Sequence, residues 1–247
     1  MIDENSKHFI FFKESLKYEL RPNDPGGKPW STFTNGLSGL GDTVPRFDPP
    51  NRRIGRDEIF QIAQEQNVGT LDVAAAALCW GGMHMRYHKG FFEAADCGWK
   101  TIAQGIRDGE LSRDKAYEGF RKLRENGHMP GVGPAFFTKL IYFLGRENGS
   151  ADHLQGYIVD QWTASSINLL TGKPIIHLNV LMTPGKQGNP SRYVFGVSDA
   201  NSAAAYEKFC FIFDKLISMC NHSADEIDHA LQRPGTWRNY VSKHRKP

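Results

Sequence analysis

Residues 128–135, which read HMPGVGPA, form a short Gly- and Pro-rich stretch between two segments with helical patterns. Gly127 is a stop signal for the first segment, and Pro130 cannot extend it because proline lacks a backbone N–H. Residues 135–145, AFFTKLIYFLG, are almost wholly apolar and predict a buried helix. We therefore predict two helices joined by a tight hairpin over about residues 116–145.

The hairpin has the composition of an anion site. Gly131 and Gly133 allow positive φ, so that successive backbone N–H groups, including that of Val132, can point to one side. With the N-terminus of the next helix, these donors suit a DNA phosphate, which positions a duplex without reading its sequence. A tight interhelical turn without a ligand is the alternative, because a G-x-G sequence alone is a weak signal.

The composition is that of a globular, mildly basic protein. The chain has 247 residues, 40% of them hydrophobic, and a formal net charge of +3, which permits a nucleic-acid partner without demanding one. The cysteines include no C-x-x-C pair, so neither a zinc knuckle nor a four-cysteine iron–sulfur cluster is indicated. The apolar run from Phe9 to Phe12 is too short for a signal peptide or a membrane span, and we expect a soluble, cytoplasmic protein.

Regular helical patterning begins near residue 57. Residues 1–56 combine a short helix with a Gly- and Pro-dense stretch, and we treat them as an irregular N-terminal segment. Residues 57–247 carry successive helical patterns, and strand signals are limited to PIIHLNVLM and RYVFGV. The sequence predicts a mainly α fold with two helical lobes around a cleft, and a basic C-terminal stretch, TWRNYVSKHRKP, that trails over the surface.

Two residues with catalytic potential follow the hairpin. Lys139 lies in the apolar helix, and Asp160 follows Val159 about twenty residues later. With MPGVG at residues 129–133, this pattern resembles the helix-hairpin-helix DNA glycosylases, the superfamily of endonuclease III, MutY and the 8-oxoguanine glycosylases. Their signature is an apolar-Pro-Gly-Val-Gly hairpin, a helix with a catalytic lysine in the bifunctional members, and a Val-Asp pair. The resemblance covers roughly residues 110–180.

The position of the lysine departs from the common pattern. The usual position is two residues after the second glycine, where this chain has Ala135, and Lys139 lies one helical turn later on the same face. The string FFTKLIYF resembles the archaeal 8-oxoguanine glycosylase branch, in which the lysine is also displaced along its helix. The resemblance implies that Lys139 is the nucleophile. If it does not reach the substrate, the enzyme is a monofunctional glycosylase that uses Asp160 and water.

The implied chemistry needs an amine and a carboxylate. Cleavage of an N-glycosidic bond develops positive charge on the sugar, and a carboxylate such as Asp160 stabilises that charge. A neutral amine can attack C1′, expel the base and form a Schiff base that permits strand cleavage. The apolar neighbours of Lys139 favour the neutral amine. Asp160 can also cap the helix that begins at Gln161, which would fix its carboxylate.

An extruded base is held by stacking and by hydrogen bonds to its edge, which requires aromatic and polar side chains. Trp162 is the best aromatic candidate because it lies two residues after Asp160, whereas Trp99 has the strongest core character. Residues of these types are more often core residues than pocket residues, which is the alternative for each candidate. The base-pocket candidates are Trp80, Phe143, Gln161 and Trp162.

The stretch after Trp80 is rich in cationic and bulky side chains. Arg86 and Lys89 could contact phosphates, and an ordinary exposed loop is the alternative. Three side chains could insert into the duplex, namely Met83, Met85 and Tyr87. His84 and His88 have no third ligand nearby in the sequence, so we expect no metal, and no cofactor is indicated.

The resemblance implies a DNA glycosylase that excises an oxidised purine such as 8-oxoguanine from double-stranded DNA. Schiff-base AP-lyase activity and a monomeric enzyme are expected with it. One alternative is a glycosylase against modified bases of phage DNA in antiviral defence, and another is a non-catalytic helix-hairpin-helix DNA-binding protein. The lysine between apolar flanks and the Val-Asp pair favour an enzyme over the non-catalytic protein.

Overall fold

Helices dominate the described residues of the computed structural model, as the sequence predicts. The described residues are 1–19, 26–37, 40, 51–93, 98–145, 155–183 and 191–245. Their helices are α1 (Lys7–Glu19), α2 (Trp30–Thr34), α3 (Arg56–Ala63), α4 (Thr70–Trp80), α5 (Met85–Phe92), α6 (Gly98–Arg107), α7 (Arg113–Glu125), α8 (Pro134–Gly145), α9 (Gln161–Thr171), α10 (Ala203–Cys220), α11 (Ala224–Gln232) and α12 (Thr236–His244). An antiparallel pair of strands, β1 (Leu178–Thr183) and β2 (Ser191–Val197), interrupts them. The prediction of a mainly helical fold is confirmed, and no described helix is both long and apolar enough to cross a bilayer.

Contacts between residues divide the chain into two compact units. Residues 23–157 form one unit, and residues 1–22 together with 158–247 form the other. The N-terminal helix α1 therefore packs among the C-terminal helices α9, α11 and α12. The boundary predicted at residue 56 stays a prediction, as does the cleft between two lobes.

Small side chains allow close packing in the 23–157 unit. The run from Ala74 to Ala77 in α4 is fully buried, and α4 packs against α3, α6 and α8. Helix α8 begins at Pro134, where the missing N–H costs nothing because the first helical turn has no acceptor for it. The Phe137 ring of α8 lies 5.0 Å from that of Tyr117 in α7, which ties the two helices together. Helix α8 is thus a firmly held internal helix.

Part of the Gly- and Pro-rich segment is ordered against the C-terminal end of α4. Gly27 has a φ of 65° and approaches the carbonyl of Cys79 so closely that a side chain would not fit. The backbone N–H of Lys28 donates to the same carbonyl at 3.3 Å. Trp30 and Phe33 in α2 are fully buried, so this stretch contributes to the core although its composition predicts irregular chain. Residues 41–50 lie outside the described residues.

Trp237 of α12 lies at the centre of the core of the other unit. Its side chain is fully buried, its ring centroid lies 4.8 Å from that of Phe12, and its indole N–H donates to Ser166 Oγ at 2.9 Å. Val241, one turn later, is also buried. The expectation that the basic C-terminal stretch trails over the surface is therefore wrong, because burial of these two side chains docks the helix, while Lys243 stays exposed.

Among the residues that the structure describes, three cysteines are buried and in no disulfide, namely Cys79, Cys210 and Cys220. Burial raises the pKa of Cys79 to about 12 and that of Cys220 to about 11, because an apolar environment disfavours the thiolate. Both groups are therefore neutral at physiological pH.

Candidate active site

Lys139 is a buried cation on the internal helix α8, with 7% of its surface exposed. Its ammonium group donates a hydrogen bond to the backbone carbonyl of Ala135 and lies 5.1 Å from the centroid of the Phe136 ring. Side chains on an α-helix point toward its N-terminus, so the long lysine side chain carries its nitrogen back by one turn. The nitrogen of Lys139 therefore reaches the level of residue 135, which offsets the one-turn displacement seen in the sequence.

Gly81, the C-cap residue directly after α4, leaves room for the Lys139 side chain. A Cβ at this position would lie 2.5 Å from Lys139 Cδ and 2.8 Å from its Cε. The φ of Gly81 is −68°, which any residue can adopt, so the backbone does not require glycine there. The requirement comes from the methylene groups of Lys139, which lie directly on the glycine.

Gly81→Ala is expected to displace the Lys139 side chain without disturbing the fold. If the lysine amine is a nucleophile, its misplacement by about 1 Å should lower the yield of borohydride-trapped adduct with lesion DNA by about 10- to 100-fold. The matched control is Gly90→Ala in α5, because a Cβ at Gly90 would meet nothing within 4 Å. Equal trapping by the two variants would show that Gly81 does not position the amine.

The hairpin between α7 and α8 presents unused backbone donors. Within the part of the chain that the structure describes, the N–H groups of Gly131, Gly133 and Ala135 make no hydrogen bond. Gly131 has a φ of 73°, whereas Gly133 has no positive φ, so only one of the two glycines uses the left-handed region. Val132 is fully buried and its N–H donates to the Met129 carbonyl at 3.2 Å, so it anchors the turn rather than offering a donor.

The α5 helix packs on this hairpin through Tyr87. A Cβ on Gly131 would overlap the Tyr87 ring, which makes Tyr87 a packing residue rather than one that is free to insert into a duplex. Met83 is fully buried and cannot insert into a duplex either. Arg86 and Lys89 are exposed beside the hairpin, with the Arg86 guanidinium 4.5 Å from the Tyr87 ring centroid and Lys89 Nζ 3.9 Å from a Glu93 carboxylate oxygen.

Gly131→Ala is expected to distort the hairpin and weaken binding to every DNA duplex, damaged or not. Gly127→Ala is the matched control, because Gly127 also has a positive φ (80°) but has open space around it. Both variants should lose about 1–2 kcal/mol of unfolding free energy from backbone strain, and only Gly131→Ala should lose DNA affinity. Removal of the whole tyrosine side chain in a Gly131→Ala, Tyr87→Gly double variant should restore part of that affinity, because Tyr87 Cβ itself would lie 2.6 Å from the new Cβ. Equal DNA affinity of the two single variants would exclude the hairpin from binding.

Trp80, the last residue of α4, is a partly exposed aromatic residue. Phe143 is fully buried behind it, at 5.3 Å between ring centroids, so Phe143 can support a pocket wall but is itself core. The buried Arg56, which was not among the sequence-predicted site residues, lies 4.9 Å from the Trp80 ring centroid and donates to the Tyr142 hydroxyl at 2.9 Å. Trp99 is core, as its sequence suggested, and stacks on Phe91.

Asp160 caps α9 with one carboxylate oxygen. Its Oδ1 accepts hydrogen bonds from the backbone N–H groups of Trp162 at 2.7 Å and Thr163 at 2.9 Å, while Thr163 Oγ1 accepts from the Asp160 N–H. The predicted capping role is confirmed. Among the described residues no hydrogen bond reaches Oδ2, so the cap fixes the carboxylate and leaves its second oxygen available.

Two arginines lie over the ring of Trp162. The guanidinium carbon of Arg238 lies 3.8 Å from the ring centroid and that of Arg245 lies 4.9 Å away. With its amide oxygen turned toward the Trp162 indole N–H, Gln161 also donates to the Val194 carbonyl at 3.0 Å. Trp162 and Gln161 are thus engaged with protein groups, which limits how either could hold a base.

Arg238 and Arg245 are the cations that sequence reasoning missed. Burial lowers the pKa of Arg238, and the nearby Asp160 carboxylate and Tyr193 phenol partly offset this effect. Both arginines lie in the basic C-terminal stretch. If that stretch is read as a helix, they lie two turns apart on one face, and this spacing is the sequence feature that could have identified them as a pair.

Comparison with known proteins identifies one family. The family model described as "Putative 8-oxoguanine DNA glycosylase OGG-like protein" matches residues 26–231. The matched range contains the hairpin, Lys139 and Asp160, and it ends before α12. No curated protein and no solved structure matches the chain.

Proposed function

Because the chain belongs to the OGG-like protein family, we propose that it excises 8-oxoguanine or a similar oxidised purine from double-stranded DNA and then cleaves the strand as an AP lyase. One observation carries the lyase part of the proposal. It is the buried Lys139 amine, which reaches back to the Ala135 carbonyl on a firmly held helix.

Lys139 acts as the nucleophile in this proposal. Its neutral amine attacks C1′ of the damaged nucleotide, the N-glycosidic electron pair leaves with the base, and the base takes up a proton while the new ammonium loses one. Opening of the sugar ring then gives a Schiff base between the lysine nitrogen and C1′. Loss of a proton from C2′ expels the 3′ phosphate, so the strand is cleaved without an external oxidant or metal ion.

Asp160 stabilises the positive charge that develops on the sugar as the base departs. The cap supports this role, because two backbone N–H groups hold Oδ1 while Oδ2 stays available for the sugar. A fixed carboxylate needs little reorganisation during the reaction, which is the condition for effective electrostatic stabilisation.

DNA phosphates bind at the hairpin and at the exposed cations of α5. The unused N–H groups of Gly131, Gly133 and Ala135 support a phosphate contact, and Arg86 and Lys89 add charge beside it. These contacts position the duplex and do not select a sequence. Among the base-pocket candidates, the partly exposed Trp80, which has Phe143 behind it and one arginine near its ring where Trp162 has two, suits stacking best.

The test is a panel of duplexes, each with one modified base, incubated with the purified 247-residue chain. Released bases are measured by mass spectrometry, and covalent adducts are trapped with borohydride. We expect release of 8-oxoguanine together with a trapped adduct. Release of another class of base, such as a hypermodified phage base, without release of oxidised purines would contradict the substrate, and release without an adduct would contradict the lyase step.

A further inference from the structure

The hairpin formed by β1 and β2 exposes an apolar face. Four of the eight large apolar side chains that are most exposed among the described residues lie on these two strands. They are Leu181, Met182, Tyr193 and Phe195, each with about half of its surface exposed. Such a concentration on one short hairpin marks a contact surface, because solvent-exposed apolar residues are otherwise scattered singly.

The register of the strands directs three of these side chains to the same side. Leu181 pairs directly with Tyr193, so both point to one face of the sheet. Phe195 is the unpaired residue of a β-bulge, because Val180 pairs with Val194 and Asn179 pairs with Gly196. Val194 is buried, and Phe195 therefore projects away from the core beside Tyr193. We call Leu181, Tyr193 and Phe195 the hairpin face.

Positive charge borders the hairpin face. The Gln161 side chain, in the first turn of α9, donates a hydrogen bond to the Val194 carbonyl of β2. The guanidinium groups of Arg238 and Arg245 lie over the ring of the next residue, Trp162. The Tyr193 phenol is close enough to act electrostatically on both guanidinium groups. Exposed rings and two cations thus lie next to one another, beside the helix that Asp160 caps.

The chemistry of this surface fits nucleic acid better than a protein partner. Stable protein interfaces bury about 800 Å² on each side, which is more than three or four side chains supply. A DNA strand offers base faces that stack on aromatic rings and phosphates that pair with arginine. Extrusion of a damaged base leaves a gap in the duplex, and proteins that distort DNA commonly insert apolar side chains between base steps.

We propose that the hairpin face contacts unstacked DNA bases at the gap left by an extruded base, while Arg238 and Arg245 bind the adjacent phosphates. The proposal rests on the proposed function in taking damaged duplex DNA as the partner. It does not depend on which base is excised or on Lys139, so it can be tested by binding alone.

Phe195→Ser and Tyr193→Ser test the proposal on two duplexes, one with a tetrahydrofuran abasic analogue opposite 2-aminopurine and one fully paired. Each variant should bind the abasic duplex about tenfold more weakly than the wild type and lose the change in 2-aminopurine fluorescence. Affinity for the paired duplex should stay within about twofold, since the hairpin face contacts only unstacked bases.

Two further variants serve as controls. Phe211→Ser in α10 removes an equally exposed phenylalanine that also lies beside a cation, with Lys215 Nζ 4.8 Å from its ring centroid, and it should leave both affinities unchanged. Phe195→Trp keeps a stacking ring and should retain tight binding to the abasic duplex, which separates stacking from any effect on folding.

The proposal is overturned if Phe195→Ser and Tyr193→Ser bind the abasic duplex as the wild type does, or lose affinity for both duplexes equally. Dissociation of a wild-type dimer by these substitutions, with DNA binding unchanged, would overturn it in favour of a protein interface. If the wild-type protein binds the abasic duplex but releases no base from the lesion panel, the proposed function is contradicted. The binding comparison between the variants and the wild type would still decide whether the hairpin face contacts unstacked bases.

Discussion

Replacement of Lys139 by methionine is expected to abolish the borohydride-trapped adduct and to slow base excision by orders of magnitude. Methionine keeps a long, flexible apolar stem that can lie on Gly81 and beside Phe136, but it has no amine to attack C1′. The Ala135 carbonyl loses a donor in this variant, and that carbonyl can still accept within the helix. The measurement is single-turnover excision of 8-oxoguanine together with adduct yield.

DNA affinity provides the control for the lysine substitution. The backbone N–H donors of the turn between α7 and α8 and the exposed Arg86 and Lys89 are unchanged in this variant. Lys139→Met should therefore bind an abasic-analogue duplex within about threefold of the wild type and unfold at a similar temperature. Lys139→Arg keeps the positive charge but supplies no free amine, and it should also fail to form an adduct. An adduct of wild-type yield in either variant would show that another amine is the nucleophile.

Replacement of Asp160 by asparagine should reduce excision by about 10²- to 10³-fold while DNA binding stays largely intact. An asparagine oxygen can still accept from the N–H groups of Trp162 and Thr163, so α9 keeps its cap. The variant loses only the negative charge that stabilises the developing cation on the sugar. Single-turnover rates, measured at saturating enzyme, separate this effect from any change in affinity.

Asp160→Ala separates catalysis from capping. It removes both the charge and the cap acceptor, so its unfolding free energy should fall by about 1 kcal/mol relative to Asp160→Asn. The excision rates of the two variants should nevertheless be similar, because both lack the carboxylate. Wild-type excision by Asp160→Asn would remove the Asp160 charge from the mechanism.

The features that could be predicted from the sequence are those set by local interactions. The turn after α7 follows from Gly127 and Pro130, and the cap at Asp160 follows from an acidic residue immediately before an apolar helix. Lys139 stands out because a lysine inside an apolar helix is unusual. Each of these predictions rests on residues that lie within about one helical turn of the predicted feature along the sequence.

The features that could not be predicted depend on contacts between distant parts of the chain. Nothing near Gly81 in the sequence shows that Lys139, more than fifty residues later, lies on it. Arg238 and Arg245 are separated from Trp162 by a similar or greater stretch, and their tertiary position determines whether that ring is open to a base. Gly131 and Gly133 look equivalent in sequence, and only packing against Tyr87 distinguishes them.

The buried thiols of Cys79 and Cys220 bear on how the protein responds to oxidants. Oxidants that convert guanine to 8-oxoguanine also oxidise cysteine, and peroxide reacts with the thiolate form of an accessible sulfur. Burial keeps both sulfurs protonated and shielded from solvent. At these two positions the folded protein therefore offers peroxide no accessible thiolate, a property that suits the proposed action on oxidised purines.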